Sequence, residues 1–173
     1  MREHLIVGNW KMNGLLQSTR KLLFQLAVEW GKQCEGVEVA VCPPFTALLV
    51  ARHELEMSHI KLGAQDCYAA TSGAFTGEIS PEMLTDLGCT FVILGHSERR
   101  SLFAETSELI SRKVRAAALA GLRPILCIGE TEREREEGRT TEVLRQQLSE
   151  SLAGVDAAMM AKVVLAYEPV WAI

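Results

Sequence analysis

Six short apolar runs rich in β-branched residues recur along the chain, with segments of helical periodicity between them. The runs are Leu5–Val7, Val37–Cys42, Ile60–Ala64, Cys89–Leu94, Arg123–Ile128 and Lys162–Tyr167. The intervening segments predict helices over Ser18–Cys34, Thr46–Met57, Pro81–Leu87, Thr106–Ala120 and Gly138–Leu152, with Ser18 as a cap and Pro81 in a first turn. Strand–helix alternation of this kind means parallel strands with helices packed outside them. An open doubly wound sheet and a (β/α)8 barrel share the pattern. The open sheet carries a glycine-rich turn after its first strand, and NWKMNG stands there instead. Polar residues also gather at the C-terminal end of strand after strand: Asn9 and Lys11, Gln65 and Asp66, His96, Gly129 and Glu130, Glu168. In a barrel those ends share one mouth, where active sites are built. The expected fold is therefore α/β, a (β/α)8 barrel of which six strands are present, as a single partial domain over residues 1–173.

Composition narrows the partners. With a net charge of −4, nothing suggests nucleic acid or an anionic membrane as a partner. No apolar run approaches the roughly 20 residues of a membrane span, and Glu3, His4, Asn9 and Lys11 interrupt any leader-like stretch at the start. The five cysteines (Cys34, Cys42, Cys67, Cys89, Cys127) are scattered and form no CxxC pair. Reduced thiols in a cytoplasmic protein are expected, with no disulfide frame and no metal site.

Three segments carry the chemistry: VGNWKMNG (7–14), LGHSERR (94–100) and AYEPVWAI (166–173). CPPF (42–45), GAQD (63–66), GAFTGEIS (73–80) and PILCIGE (124–130) lie between them. In order and spacing these resemble the triosephosphate isomerase family along the whole chain. The resemblance implies a TIM barrel and the cofactor-free interconversion of dihydroxyacetone phosphate and glyceraldehyde 3-phosphate, a step of glycolysis and gluconeogenesis.

Such a reaction needs a base at carbon, an electrophile for the carbonyl and a cation for phosphate. Glu168 is similar to the family's base, and one carboxylate can take a proton from one carbon and return it to the next. Alone, a Glu before Pro169 reads as a helix-start carboxylate; within AYEPVWAI the catalytic reading prevails. His96 precedes Ser97, Glu98, Arg99 and Arg100, which read as the first turn of a short helix. A helix start disfavours positive charge, so a neutral imidazole is expected there, able to donate to the substrate carbonyl. The other reading is a capping histidine, which suits His4, His53 and His59 better.

Asn9 is expected to aim its amide into the mouth toward a developing oxyanion. Lys11, which alone reads as a solvated loop lysine, is placed by the resemblance in the substrate pocket. Glu98 is read as a supporting residue that holds the Lys11 ammonium, with an ordinary helix-start carboxylate as the competing reading. Ser97 is assigned a supporting place beside His96. The loop CYAATSGAFTGEIS (67–80) is long enough to expect function. In the family it inserts into a second subunit, and Thr76 resembles the residue that braces the partner's Asn and Lys, which implies a homodimer. Pro169, Val170 and Trp171 match the family's lid hinge. ETEREREEGR (130–139) reads as a solvated helix face without chemistry.

The family continues with a glycine-bearing lid tip, strands seven and eight and the loops whose backbone N–H groups hold phosphate. A barrel of six strands has open parallel edges at strands one and six. The expectation for residues 1–173 alone is aggregation or a partly molten state with little turnover; the alternative is a partial sequence of an ordinary enzyme. Two other readings remain at this stage. One is a barrel enzyme for another sugar phosphate, opposed by Asn9, Lys11, His96 and Glu168 in this order. The other is a non-catalytic interaction protein retaining the 67–80 surface.

Overall fold

The structure is a computed structural model that describes residues 4–30 and 36–173. Six strands form one parallel sheet in the order β1-β2-β3-β4-β5-β6. They are β1 (His4–Asn9), β2 (Val37–Cys42), β3 (Lys61–Ala64), β4 (Phe91–Leu94), β5 (Arg123–Ile128) and β6 (Val164–Tyr167). A doubly wound sheet reverses its strand order at a switch point. Here every strand is added on the same side of its predecessor, so the helices fall on one face and the sheet curls into a half-barrel. Register follows from the pairs Ile6↔Val39, Val41↔Leu62, Ala64↔Val92, Leu94↔Leu126 and Ile128↔Tyr167.

The period-two alternation sorts the strands into two apolar layers. Ala40, Cys42, Phe91, Ile93, Ile125 and Cys127 point inward, joined by Leu5, Val7, Val164 and Ala166. Val41, Leu62, Ala64, Val92, Leu94, Leu126 and Ile128 point outward against the helices. Inside the curl, Arg123 reaches from β5 to Glu38 on β2 at 2.6 Å, its guanidinium 4.4 Å over the Phe91 ring. Those two strands are not neighbours, so the contact spans the concave face. Gly63 allows close packing on the concave face: a Cβ there would come within 2.5 Å of Cys42 Sγ and 3.2 Å of Phe91 Cβ. The outer edges leave Ile6, Leu165 and Tyr167 about half exposed.

The outer layer is α1 (Leu16–Trp30), α2 (Leu48–Leu55), α3 (Pro81–Asp86), α4 (Ser97–Leu102), α5 (Ser107–Leu119), α6 (Glu132–Glu136), α7 (Thr140–Ser151) and α8 (Ala157–Met160). Several predicted boundaries shift for local reasons. α1 begins at Leu16, and Ser18 lies inside its first turn, where its hydroxyl donates to Leu15 O (2.9 Å) and accepts from Leu15 N (3.1 Å), so it is not the cap. The expected end of that helix at Cys34 lies outside the described residues. The expected 46–57 helix opens as a 3-10 turn, Phe45–Ala47, and is α-helical only over Leu48–Leu55. β4 starts at Phe91 because the Cys89 amide donates to Leu84 O. Thr106 and Ser80 do cap α5 and α3, each accepting from the third residue on. α8 had no counterpart in the sequence reading. Among the described residues no helix is long and apolar enough to cross a membrane, and no cluster of side chains could hold a metal ion.

Candidate active site

Both ends of the expected constellation depend on backbone that ordinary side chains avoid. Lys11 has φ of +52° and Gly95 of +68°. A left-handed residue turns the chain sharply after a strand, and Gly95 has no Cβ to meet Ile110, 3.1 Å away, or Cys127 O, 3.3 Å away. Lys11 bears the strain because its carbonyl and amide are both fixed. Gln65 Nε2 donates to Lys11 O and Cys42 O, each at 2.8 Å, and Lys11 N donates to Asn9 Oδ1 at 3.0 Å. Asn9 is the last residue of β1, paired with Cys42. With its oxygen engaged, its NH2 group remains as the donor.

His96 is the N-cap of α4, and its Nδ1 accepts the Glu98 N–H at 3.2 Å. An accepting Nδ1 leaves the single proton of the ring on Nε2. Capping, expected of His4, His53 and His59 rather than of this residue, thus falls on His96; it is compatible with the catalytic reading, because the cap selects the tautomer. Nε2 lies 3.4 Å from Glu168 Oε1, although 72 positions separate the residues. His96 is only 5% exposed. The other Glu168 oxygen, Oε2, is buried with no hydrogen-bond partner among the described residues. An orphaned carboxylate oxygen beside an imidazole N–H is costly for stability alone and is what a proton-abstracting group requires.

Lys11 Nζ meets Glu98 Oε1 at 2.6 Å. Asn9, Lys11, His96, Glu98 and Glu168 are therefore all at the C-terminal strand ends, as expected. Ser97 opens α4 and lines a cavity of about 240 Å³ with Gly95, Arg100, Cys127, Gly129 and Glu168. Burial and the neighbouring Glu168 carboxylate both push the Cys127 thiol up, so it stays protonated. Thr76 is exposed on the 67–80 loop and makes no hydrogen bond to Asn9 or Lys11 of its own chain.

Residues 169–171 lead into a 3-10 turn, Val170–Ala172. Here the reading of 130–139 needs correction. Residues 132–137 are mostly solvated, but Glu130 is fully buried. It accepts from Tyr167 OH at 2.9 Å on both oxygens and from Trp171 Nε1 at 3.2 Å, while its carbonyl accepts Val170 N–H at 3.0 Å. Arg135 stacks 4.1 Å from the Trp171 ring. Burial disfavours the charge, yet hydrogen bonds from its own backbone, Trp171 and Tyr167 hold the carboxyl below its usual range. The signal in the sequence was its place two residues past the end of β5, among the polar groups gathered at the strand ends.

Also absent from the sequence reading is a charged quartet of buried Asp66, Glu105 and Lys113 with half-buried Arg99 of α4. Lys113 Nζ contacts both Asp66 oxygens at 2.8 and 2.9 Å and also Glu105, while Arg99 Nε lies 3.0 Å from Asp66 and 2.6 Å from Glu105. Arg100 donates to Gly95 O at 2.8 Å and Cys127 O at 3.3 Å, tying two strand ends together. Periodicity gave no hint of these, since Lys113 falls on the apolar face of α5.

The family model described as Triosephosphate isomerase matches residues 4–173. Named triosephosphate isomerases from Dictyoglomus thermophilum and Carboxydothermus hydrogenoformans are 49% and 50% identical over 173 residues, all of this chain and 69% and 68% of theirs. That of Roseiflexus sp. is 50% identical and is covered to 68%. A half-barrel built strand by strand, a carboxylate facing an imidazole N–H at its mouth and half-identity along every residue lead to one conclusion: this chain belongs to the triosephosphate isomerase family, a family of isomerases.

Proposed function

We propose that the protein interconverts dihydroxyacetone phosphate and glyceraldehyde 3-phosphate by proton transfer at the mouth formed by β1, β4 and β6. Glu168 removes the proton from the carbon beside the carbonyl, and the electron pair moves onto the carbonyl oxygen. His96 Nε2–H and the Asn9 amide donate to that oxygen as charge develops, where preorganised donors act most strongly. The neighbouring hydroxyl gives its proton to that oxyanion and its own oxygen becomes the new carbonyl as Glu168 returns the first proton to the adjacent carbon, so no cofactor or net proton is consumed. Lys11, held by Glu98, supplies the positive charge for the phosphorylated substrate and the enediolate. The observation that supports this most is the 3.4 Å approach of His96 Nε2 to a carboxylate whose second oxygen is unpartnered.

Partner and setting belong to the same reading: a cytoplasmic enzyme of glycolysis, acting as a homodimer in which the 67–80 loop, with Thr76, reaches the neighbouring subunit's Asn9 and Lys11 region. Tyr68 packing on Phe75 at 4.5 Å and the Tyr68 N–H on Ile79 O at 2.8 Å support a preformed, protruding loop. The hinge at Pro169, Val170 and Trp171 moves Glu168 with it.

The test is a coupled isomerase assay together with calorimetric binding of a phosphorylated enediolate mimic, on the protein and on Glu168→Gln. Turnover and binding at about micromolar affinity, both abolished in the variant, are expected. A folded protein with neither turnover nor binding overturns the proposal.

A further inference from the structure

Gln147 lies on α7, is half-buried and lines the same cavity as Glu168. Its side-chain oxygen accepts the Gly129 N–H at 2.9 Å and its NH2 group donates to the Gly129 carbonyl at 2.9 Å. One amide thus satisfies both backbone groups of one residue, as a neighbouring strand would. The reason lies in where the ladder stops. β5 and β6 are paired up to Ile128↔Tyr167, and the Glu168 N–H still reaches Ile128 O at 2.7 Å. Beyond that point Gly129 has no strand partner for its N–H or carbonyl.

Gly129 is also the surface against which the main chain of Glu168 rests. A Cβ on Gly129 would stand 2.6 Å from the Glu168 carbonyl carbon and overlap its oxygen. The place of the Gly129 backbone therefore limits where the Glu168 peptide can lie, and so the Cα from which its carboxylate approaches His96. Glutamine alone fits the grip. Asparagine is one methylene short, glutamate cannot donate to the carbonyl, and leucine can do neither.

We propose that Gln147 is a positioning residue for Glu168, acting through the backbone of Gly129 from helix α7. This rests on the reading of Glu168 as the base, since only then does a displacement of under about 1 Å alter a rate.

The variants are Gln147→Leu and Gln147→Glu, with Gln146→Leu as control because the Gln146 amide bonds only to exposed Glu150 at 2.9 Å. Steady-state kinetics and NMR of the Glu168 backbone amide and the His96 Nε2 resonance are recorded for each. Gln147→Leu is expected to lower kcat roughly ten- to a hundredfold with KM within about twofold, and to move both resonances. Gln147→Glu, which keeps the acceptor, is expected to fall between, and it decides the matter if Gln147→Leu does not fold. Gln146→Leu should match the parent. Unchanged kcat, or Glu168 and His96 signals that stay in place, overturns the proposal. If the parent protein shows no turnover, the isomerase reading fails, and the resonances alone decide whether Gln147 positions Glu168.

Discussion

Replacing Asp66 with asparagine should change the pH dependence of stability more than stability itself. Asp66 is 4% exposed, at the end of β3 among Lys113, Arg99 and Glu105. Burial, the largest influence, and the nearby Glu105 carboxylate outweigh the attraction of Lys113 and push its carboxyl from 3.8 up to about 6. Glu105 moves the other way: burial raises it, but hydrogen bonds from Lys113 and Arg99 prevail and hold it below its usual value. The two carboxylates share two cations, and Asp66 is the one that accepts a proton first on acidification.

The sign follows from proton counting. Between the unfolded and folded values the native protein holds a proton on Asp66 that the unfolded chain has released, so stability falls as pH rises. A displacement from 3.8 to about 6, at about 1.4 kcal/mol per unit, amounts to roughly 3 kcal/mol. The penalty is fully present above about pH 6 and is relieved toward about pH 4. Asparagine keeps the shape and cannot titrate. Urea unfolding followed by circular dichroism, from about pH 4 to about pH 7.5, should show the parent losing roughly 3 kcal/mol relative to Asp66→Asn as pH rises. A difference constant across that range, or one in which the parent gains, would show that the ion pairs dominate burial and would refute the reasoning.

Two further outcomes are expected. Leu126→Ala removes a fully buried side chain between sheet and helices and should cost about 3 kcal/mol in urea unfolding, with unchanged slope. Glu130→Leu takes the shared acceptor from Tyr167 and Trp171; in a background of Trp10→Phe and Trp30→Phe, Trp171 should become more accessible to acrylamide quenching, and unchanged quenching would show that Arg135 stacking alone holds the ring.

Legibility in the sequence followed the range of the interactions. β2 and β5 were read to the residue, because six-residue alternation between two buried layers is a strong local signal. β4 was read two residues too early, because only the hydrogen bond of Cys89 to Leu84 shows that α3's exit claims that amide. His96 and Glu168 were recognisable from their motifs, but the use of Nδ1 as a cap, which selects the proton-bearing nitrogen, required the coordinates. Glu130 was set among solvated charges because seven of its nine following neighbours are polar repeats of the same kind. Its burial depends on Tyr167 and Trp171, 37 and 41 positions away.

By itself the sequence determined the parallel strand–helix rhythm and offered candidate side chains for proton transfer. These follow from periods of two and 3.6 residues and from functional-group chemistry, both readable locally. Only the tertiary structure decided that Lys113 lies against Asp66, that Arg123 spans the curl to Glu38 and that Gln147 grips Gly129, at separations of 47, 85 and 18 residues. The physical reason is that a polar side chain carries no record of its partner; the partner is whatever group the curling sheet brings within hydrogen-bond reach once both are withdrawn from water.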